Sequence, residues 1–465
     1  MTESSNRKRL PKIFKFITSN QNPMMIFAIC FLLLSLFSLQ IFSTKQIDVL
    51  FLQKSEASEK KWPATPLDQL HPEQLKLVQL ITMTRHGTTT PGMLFPNDPN
   101  RKEWANIGPP EALTTTGVRE HCNLGFYLAE RYGGFITDKM TIDSGTKIWS
   151  TDKDRSIAAA YSTLAGIVGE ECLSDEWIQK MPPIADIISP LGNKEANSDR
   201  QAKQKHQLKI PKIDPHADFM HRSAWIKCKK LLQLNKKGVT IKRREHFLNN
   251  IQFYKELSEI VGFNLTSFDE AKSVYESYQT EFQVKSHYSK WMDDAFLNEL
   301  LRMYLHDYTL YFPARINGIL SGGPTVATIV QKIQKVVSRK LNTENKKDTV
   351  MMLFGHTSSL MAVTKTLGIE LTALPDFASS LIFEIYLAKE NEQDPETTEY
   401  VSNENKFCAR LLYKTASEIY PIQFPVCRKN SIAFGSEETQ CCPIHSFLIH
   451  LQRVAAHNYE KLCQI

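Results

Sequence analysis

The sequence predicts an α/β fold in which strands and helices alternate along the chain. An apolar stretch over residues 75–83 leads into Arg85-His86-Gly87, and a second, residues 350–354, is followed by His356. Between them, residues 114–132 carry apolar side chains at helical spacing. Because ligands of open α/β sheets bind at the carboxyl ends of strands, we expect the two histidines to share one crevice.

Each of the N-terminal elements is predicted by a separate feature of the sequence. Leu75 and Leu77 begin a strand by alternating with polar residues, and the proline-rich residues 91–112 are expected to form a loop. The helix over 114–132 is indicated by an apolar stripe at spacings of three and four, namely Val118, Cys122, Gly125, Leu128 and Tyr132.

A second strand and helix follow in the sequence. Lys147–Trp149 has strand character, and Ser150-Thr151-Asp152 is a capping-type stretch before the helix that carries Arg155. We interpret Asp152 and Asp154 as helix-capping carboxylates rather than catalytic groups.

The C-terminal half repeats the alternation. Gly322-Gly323-Pro324 is expected to open a helix, and the unbroken apolar run over 350–354 predicts a strand buried on both faces. Residues 381–387 and 408–413 are the further predicted strands, and the aromatic-rich residues 246–312 have helical character.

The bulk composition excludes some classes of protein. The chain has 465 residues, of which 42% are hydrophobic, so a sizeable core is expected and global disorder is not. The net charge is +6, and much of it comes from the basic cluster in the first fifteen residues. The nearly balanced remainder argues against a nucleic-acid-binding protein.

The uncharged apolar run over residues 24–43 is long enough, as a helix, to cross a bilayer. Because basic residues precede it, we expect residues 1–23 to be a cytoplasmic tail and residues 24–43 a signal-anchor transmembrane helix. Residues 44–72 would be a stem to a lumenal or extracellular body. The alternatives are a cleaved signal peptide, which would give a secreted or lysosomal protein, and a buried core helix.

Eight of the nine cysteines lie beyond this run, as expected of a protein in an oxidising compartment. Their number leaves the pairing open. They lack zinc-site spacing, and we expect neither a metal nor a cofactor. Asn264-Leu265-Thr266 is a glycosylation sequon, which agrees with a translocated body.

Phosphate is the ligand that suits the predicted crevice. The guanidinium groups of Arg85 and Arg155 can each bind phosphate oxygens through paired hydrogen bonds. Between guanidinium groups the pKa of an imidazole is lowered, so His86 would stay neutral and could attack phosphorus to form a phosphohistidine. Taken alone, His356 is more simply explained as a core histidine whose hydrogen bonds are satisfied. A catalytic role is favoured because both histidines follow strands and Arg155 follows a capping-type stretch between them.

Several motifs, in order along the chain, resemble those of the histidine acid phosphatases, which include the prostatic and lysosomal acid phosphatases and the phytases. They are RHG at 85–87 with Pro91, FPNDP at 95–99, LTTTG at 113–117, STDKDRS at 150–156, SGG at 321–323, GHT at 355–357 and CPI at 442–444. The resemblance runs from about Leu75 to the C-terminus. It implies an α/β domain, residues 73–465, with a mainly parallel sheet flanked by helices and a smaller, mainly helical cap domain inserted at about 180–312.

The same resemblance implies roles for individual residues. His86 would be the nucleophile, while Arg85, Arg155 and the second catalytic histidine, His356, would hold the phosphate of a small phosphomonoester. It implies two disulfides, Cys228–Cys463 and Cys427–Cys442, with Cys441 as the alternative partner of Cys427. The pairing of the others stays open, namely Cys122, Cys172, Cys408 and Cys441. A homodimer is expected by analogy.

Two positions depart from the family pattern. Thr89 stands where the family has a second arginine, and Thr357 stands where it has its general acid. Losing a general acid typically costs about 10²–10⁴-fold in rate. Asp307 and Asp293 are candidate replacements for this acid, but we interpret both as solvated surface carboxylates.

Three functions are therefore compared. The first is a membrane-anchored phosphomonoesterase whose catalysis is weakened by the two threonines. The second is a catalytically inactive relative that binds a phosphorylated ligand or a protein partner. The third is a sugar-phosphate mutase or bisphosphatase of the other RHG branch, against which the predicted anchor and the terminal cysteines argue.

Overall fold

The computed structural model describes residues 75–137, 146–181, 213–214, 228–285, 292–311, 315–338, 349–369, 371, 373–388, 406–422, 424–428, 432–433 and 440–464. These residues belong to one compact unit, Trp62–Ile465, and the other unit, Met1–Lys61, lies outside them. The predicted tail and anchor, and the stem up to residue 72, are thus outside the described residues. Within the described ranges, no helix has the length and apolar character needed to cross a bilayer.

The strands of the described ranges form one nine-stranded sheet in the order β3-β2-β4-β1-β5-β6-β9-β8, with β7 paired to β6. Their bounds are β1 Leu75–Arg85, β2 Lys147–Ser150, β3 Ile213–Asp214, β4 Val350–Gly355, β5 Ser380–Ala388, β6 Phe407–Lys414, β7 Ile419–Ile422, β8 Ile432–Ala433 and β9 Gln440–Pro443. The strands predicted from Leu75 and over 147–149, 350–354, 381–387 and 408–413 are therefore confirmed.

The sheet is mixed. β3, β2, β4 and β1 pair in parallel. From β1 onward, through β5 and β6, the pairing is antiparallel. The predicted α/β class with flanking helices is confirmed, and the parallel part of the sheet carries both strand-end histidines.

Helices connect and cover these strands. Their bounds are α1 Arg101–Ile107, α2 Thr115–Tyr132, α3 Gly134–Thr137, α4 Asp154–Ile167, α5 Asp175–Gln179, α6 Lys229–Asn235, α7 Ile241–Asn249, α8 Ile251–Val261, α9 Phe268–Lys285, α10 Asp294–Tyr311, α11 Arg315–Val337, α12 Thr357–Leu367, α13 Pro425–Arg428, α14 Ile444–Gln452 and α15 Tyr459–Leu462, with a π-helical turn at Lys236–Thr240. The helix predicted over 114–132 is α2.

Every residue of β4 is buried, because helices cover both faces of the sheet. Met351 and Leu353 pack in one apolar cluster with α11, α12 and α14. Met352 and Phe354 point the other way, into a cluster with α2 and α4. The unbroken apolar run of this strand is thus explained by its position at the centre of a three-layer body.

A separate apolar cluster unites α8, α9 and α10 and includes Phe95, Tyr254, Leu300 and Met361. Phe95 belongs to the FPNDP motif, and Met361 lies on α12, directly beyond the second histidine. The helical segment is therefore packed against the site end of the α/β body. The bounds of a cap domain at about 180–312 stay a prediction.

The glycine pair of the SGG motif does not begin a helix, contrary to expectation. α11 begins at Arg315, and Pro324 lies inside it. A Cβ on Gly322 would lie 2.4 Å from the Ala362 carbonyl oxygen of α12, and one on Gly323 would lie 2.9 Å from the Ala456 Cβ. The glycines are there because helix and chain approach closely, a requirement that local pattern cannot reveal.

The capping-type stretch at 150–152 is also not the cap of α4. The N-cap is Lys153, without a side-chain capping hydrogen bond, and Asp154 lies in the first turn. There the negative Asp154 carboxylate lies near the positive end of the helix dipole, which is a favourable interaction. Ser150 Oγ instead donates to the Thr151 carbonyl oxygen at 2.9 Å.

Disulfides join all eight cysteines beyond the N-terminal run. They are Cys122–Cys172, Cys228–Cys463, Cys408–Cys441 and Cys427–Cys442. The second and fourth are the pairs that the family resemblance implies. The other two resolve what the sequence left open, including the choice between Cys441 and Cys442 as the partner of Cys427.

A buried ion pair clamps α2 to the centre of the sheet. Arg131 Nη2 lies 2.9 Å from Glu384 Oε1 on β5, with side-chain exposures of 4% and 0%. Tyr132 Oη donates to the same carboxylate oxygen at 2.8 Å. Removing one member would leave a charged group buried without its partner.

We expect Glu384→Ala to lower the free energy of unfolding by about 3–5 kcal/mol, because it removes the carboxylate that balances the charge of the buried Arg131 guanidinium. The measurement is urea unfolding of the oxidised protein. The control is Asp175→Ala, which breaks the exposed Arg119–Asp175 pair and should cost less than about 1 kcal/mol. Equal, small losses in the two variants would contradict this account.

Candidate active site

The two strand-end histidines lie side by side where β1 and β4 end. The register pairs Arg85 with Gly355, and the His86 backbone N–H donates to the Gly355 carbonyl oxygen at 2.9 Å. The imidazole centroids of His86 and His356 are 5.2 Å apart, with the rings inclined by 68°. Both residues are buried, so the carboxyl ends of the parallel strands form one crevice, as predicted.

Glycine is required directly after His86 because the chain there touches α2. A Cβ on Gly87 would lie 2.6 Å from the Gly117 carbonyl oxygen, and a Cβ on Gly117 would lie 2.3 Å from the Thr88 carbonyl oxygen. These distances are shorter than any side-chain contact allows. The RHG and LTTTG motifs are therefore two halves of one backbone contact.

The threonines that follow the RHG triplet hold its loop in place. Thr88 donates from its backbone N–H and from Oγ1 to the Glu120 carboxylate, at 2.7 and 2.8 Å. Thr90 Oγ1 donates to the Pro109 carbonyl oxygen at 2.6 Å and accepts from the Ala112 N–H at 3.0 Å. These side chains bind protein groups, so their hydroxyls fix the loop.

The hydrogen bonding of His86 defines which of its nitrogens can react. Nδ1 lies 2.8 Å from the Gly87 carbonyl oxygen. Because a carbonyl only accepts, Nδ1 carries the proton, and the neutral ring has its lone pair on Nε2. Burial lowers the pKa of His86 well below its ordinary value, and the nearby charges of Arg85 and Arg155 lower it further.

The Arg85 guanidinium is held rigidly. Its Nη1 donates to the Pro375 carbonyl oxygen at 2.5 Å, and its Cζ lies 3.8 Å from the centre of the Phe377 ring. Its Nε is buried without a hydrogen-bond partner among the described residues. A cation stacked in this way keeps a fixed direction for binding an anion.

Arg155 reaches the same cavity from the first turn of α4. Its Nη1 lies 3.0 Å from Glu111 Oε2, and the side chains are 14% and 56% exposed respectively. The second arginine is therefore held by an acidic side chain at the cavity, whereas Arg85 is held by a carbonyl and a ring.

Two non-glycine residues of the described ranges have positive φ, and both adjoin the site. Glu111 has φ 63° and carries the carboxylate that meets Arg155. Ala378 has φ 55°, follows the ring that stacks on Arg85, and donates its N–H to the His86 carbonyl oxygen at 3.3 Å. Such a conformation costs of order 1–2 kcal/mol, and strain of this kind is typical of functional sites.

His356 is the N-cap of α12, so it stands at the positive end of a helix. Its Nε2 lies 2.9 Å from Thr151 Oγ1. Thr357, the first residue of the helix, lines the cavity, as does Ser358. The position to which the sequence resemblance assigns a general acid is thus at the cavity but holds a hydroxyl group.

The cavity itself has a volume of about 300 Å³. The strand ends, the loops after them and the start of α4 contribute Arg85, His86, Thr89, Arg155 and His356 to its lining. Helices α9 and α10 contribute Lys272, Glu276, Gln279, Thr280, Tyr304 and Asp307, so the lining is largely polar.

Asp307 is not a solvated surface carboxylate, so that interpretation is wrong. It is 1% exposed and lines the cavity. Arg243 binds both of its oxygens, at 2.6 and 2.5 Å, and Lys272 Nζ lies 3.7 Å away. Asp307 is therefore part of a buried ion-pair network with two cations. Asp293, by contrast, accepts from the Phe296 N–H at the start of α10 and is absent from the cavity lining.

The sequence interpretation missed Glu111, Glu120 and Phe377. Glu111 follows two prolines in a loop and belongs to no motif, and Phe377 lies between strands. Glu111 is 44 residues from its partner Arg155, and Glu120 is 32 residues from Thr88. Phe377 is 292 residues from Arg85. Only the folding of the chain brings them together.

The fold is similar to that of known phosphatases, as comparisons with other proteins show. The chain belongs to the histidine phosphatase superfamily (branch 2), whose sequence model matches residues 38–413.

Among its relatives, the prostatic acid phosphatase of Rattus norvegicus is 26% identical over 85% of this chain and 91% of its own. The lysosomal acid phosphatase of Xenopus laevis is 25% identical over 86% of this chain and 81% of its own.

Solved structures share the fold. The phosphate complex of the Bifidobacterium longum multiple inositol polyphosphate phosphatase has a TM-score of 0.54 at 11% identity, covering 87% of this chain and 96% of that one. The Citrobacter braakii phytase has a TM-score of 0.51 at 12% identity, covering 84% and 100%. At this identity the likeness establishes the fold alone.

We expect the His86 imidazole to stay neutral in the folded protein while the pH falls through about 6.5, the ordinary value for histidine, because burial and the arginines disfavour its charged form. The measurement is the pH dependence of its ring proton resonance, assigned with His86→Gln. In the urea-unfolded chain the same resonance should titrate near the ordinary value. A folded-state midpoint at or above that value would contradict the prediction.

Proposed function

We propose that this protein is a phosphomonoesterase that acts through a phosphohistidine at His86. The observation that carries the proposal is the Nδ1–H hydrogen bond to the Gly87 carbonyl, which leaves a lone pair on Nε2 beside two guanidinium groups. Nucleophile and anion-binding cations are then parts of one arrangement.

The proposed reaction has two displacements. Nε2 of His86 attacks phosphorus, the bond from phosphorus to the leaving oxygen breaks, and the leaving oxygen takes a proton from solvent. Water then attacks phosphorus, the P–N bond breaks, and the phosphate that leaves carries the protons of the water, one of which returns to solvent, while His86 is neutral again. Charge on the transferred oxygens is stabilised by Arg85, Arg155 and His356, and by the N-terminus of α12.

The proposal includes a weakened proton-transfer step. Thr357 has no acidic proton at useful pH, and Thr89 supplies no third cation. Without the proton donor, the rate would fall by about 10²–10⁴-fold when the leaving group needs protonation. Without the third cation, the transition state would lose about 2–4 kcal/mol of stabilisation. Substrates whose leaving groups have a low pKa, such as phenols and acyl phosphates, would be least affected.

The second candidate is a catalytically inactive protein that binds a phosphorylated ligand or a protein partner. The same two threonines favour it, because the anion-binding residues remain while the proton donor of the family is absent. Under this candidate the cavity would bind phosphate with no turnover.

We further propose that the body, residues 73–465, lies in a lumen or outside the cell, held by a signal anchor at 24–43. The four disulfides, which fit an oxidising compartment, support this location. Asn264 is exposed in the loop between α8 and α9, where a glycan would be tolerated. A homodimer is proposed by family analogy alone.

The test of the enzyme is hydrolysis of an aryl phosphate by the purified chain between about pH 4 and 7, where a neutral histidine could act. We expect activity in the native protein, none in His86→Ala, and a phosphorylated His86 on rapid quench. The control is His445→Ala, which removes an exposed histidine on α14 outside the cavity. Background activity in native and His86→Ala proteins alike would leave the inactive candidate.

Installing the missing acid should restore the weakened step. We expect Thr357→Asp to raise kcat by up to about 10²–10⁴-fold on alkyl phosphates, and far less on aryl phosphates, because only the poor leaving group needs the proton. Steady-state kinetics on matched alkyl and aryl substrates measures this, with Thr357→Asn as the control of similar size. Equal gains on the two substrates would refute the missing-acid explanation.

A further inference from the structure

The two arginines that line the cavity differ in the groups that already contact them. Arg85 is bound by the Pro375 carbonyl and the Phe377 ring, which leaves its Nε without a partner in the described residues. Arg155 already holds an anion, the carboxylate of Glu111, at 3.0 Å. A phosphate that binds Arg155 has to share or replace that carboxylate.

A carboxylate and a phosphate compete directly for a guanidinium group. Each presents paired oxygens to the same planar set of N–H donors. Glu111 is therefore a stand-in for part of a phosphate group, supplied by the protein itself.

We propose that Glu111 is an internal competitor of phosphate for Arg155, displaced when a phosphorylated ligand binds, and thus a specificity-determining residue of the cavity. The inference rests on the proposed phosphate-binding function of this cavity. Its consequence is that a ligand must offer more negative charge than a carboxylate to gain Arg155. Doubly charged phosphate monoesters are then favoured over singly charged anions.

The backbone delivers the Glu111 carboxylate to a set position. Glu111 has φ 63°, which an L-residue adopts at a cost. The next residue, Ala112, is anchored by its N–H to Thr90 Oγ1 and by its carbonyl to the Thr90 N–H, at 3.0 and 2.8 Å. The side chain itself is 56% exposed, so it can turn to solvent without unfolding the loop.

The other carboxylates of the cavity are held differently. Asp307 is buried against Arg243. Glu276 lines the cavity but pairs with Lys272, at 3.9 Å along α9. Glu276→Gln therefore removes the same charge from the same cavity without touching Arg155, and it is the matched control for Glu111→Gln.

The experiment is calorimetric titration of the full chain with inorganic phosphate at pH 7 and low salt. We expect Glu111→Gln to bind phosphate about two- to fivefold more tightly, as the loss of a half-exposed ion pair predicts, and Glu276→Gln to change the Kd less. Glu111→Gln should have no effect when added to Arg155→Ala. Glu111→Gly should tighten binding too and unfold at a higher temperature, since glycine adopts positive φ without strain.

Unchanged or weaker phosphate binding by Glu111→Gln would overturn the proposal, and so would a gain that persists in the Arg155→Ala background. If phosphate binds but no aryl phosphate is hydrolysed, the enzyme proposal fails while the role of Glu111 stands. If no variant binds phosphate, both the assignment of the cavity and the competitor role are refuted.

Discussion

The parallel pairing of β1 with β4 is the constraint on which the site depends. Strands that run side by side in the same direction end at the same edge, and their register places Arg85 against Gly355. A histidine follows each of these two residues, so the centroids of the two imidazole rings lie 5.2 Å apart. A shift by one residue would turn each side chain to the other face of the sheet and separate the pair.

This pairing is protected by the way helices cover the sheet. β4 is buried on both faces, and α2 is pinned to β5 by the Arg131–Glu384 pair. α2 in turn receives the loop after His86, through contacts that only Gly87 and Gly117 permit. Core packing and the geometry of the site are therefore linked, because backbone contacts with α2 place His86.

The charges around the cavity show how the site departs from its family. Thr89 and Thr357 stand where the family resemblance places a cation and a proton donor. Among the carboxylates that line the cavity, Asp307 is paired with Arg243 and Glu111 with Arg155. Under the proposed function, the site would therefore favour substrates with good leaving groups or hold a ligand without turnover.

The sequence by itself determined the alternation of strands and helices, the buried character of β4, the family motifs and the edge at which His86 and His356 meet. These features can be predicted from short stretches of sequence, because buried positions recur with the period of the helix or strand and turn residues mark its ends. The tertiary structure alone decided the pairing of Cys122, Cys172, Cys408 and Cys441, the burial of Asp307, and the meeting of Glu111 with Arg155. Each of these depends on residues distant in sequence that approach only after the chain has folded, and no local pattern records such an approach.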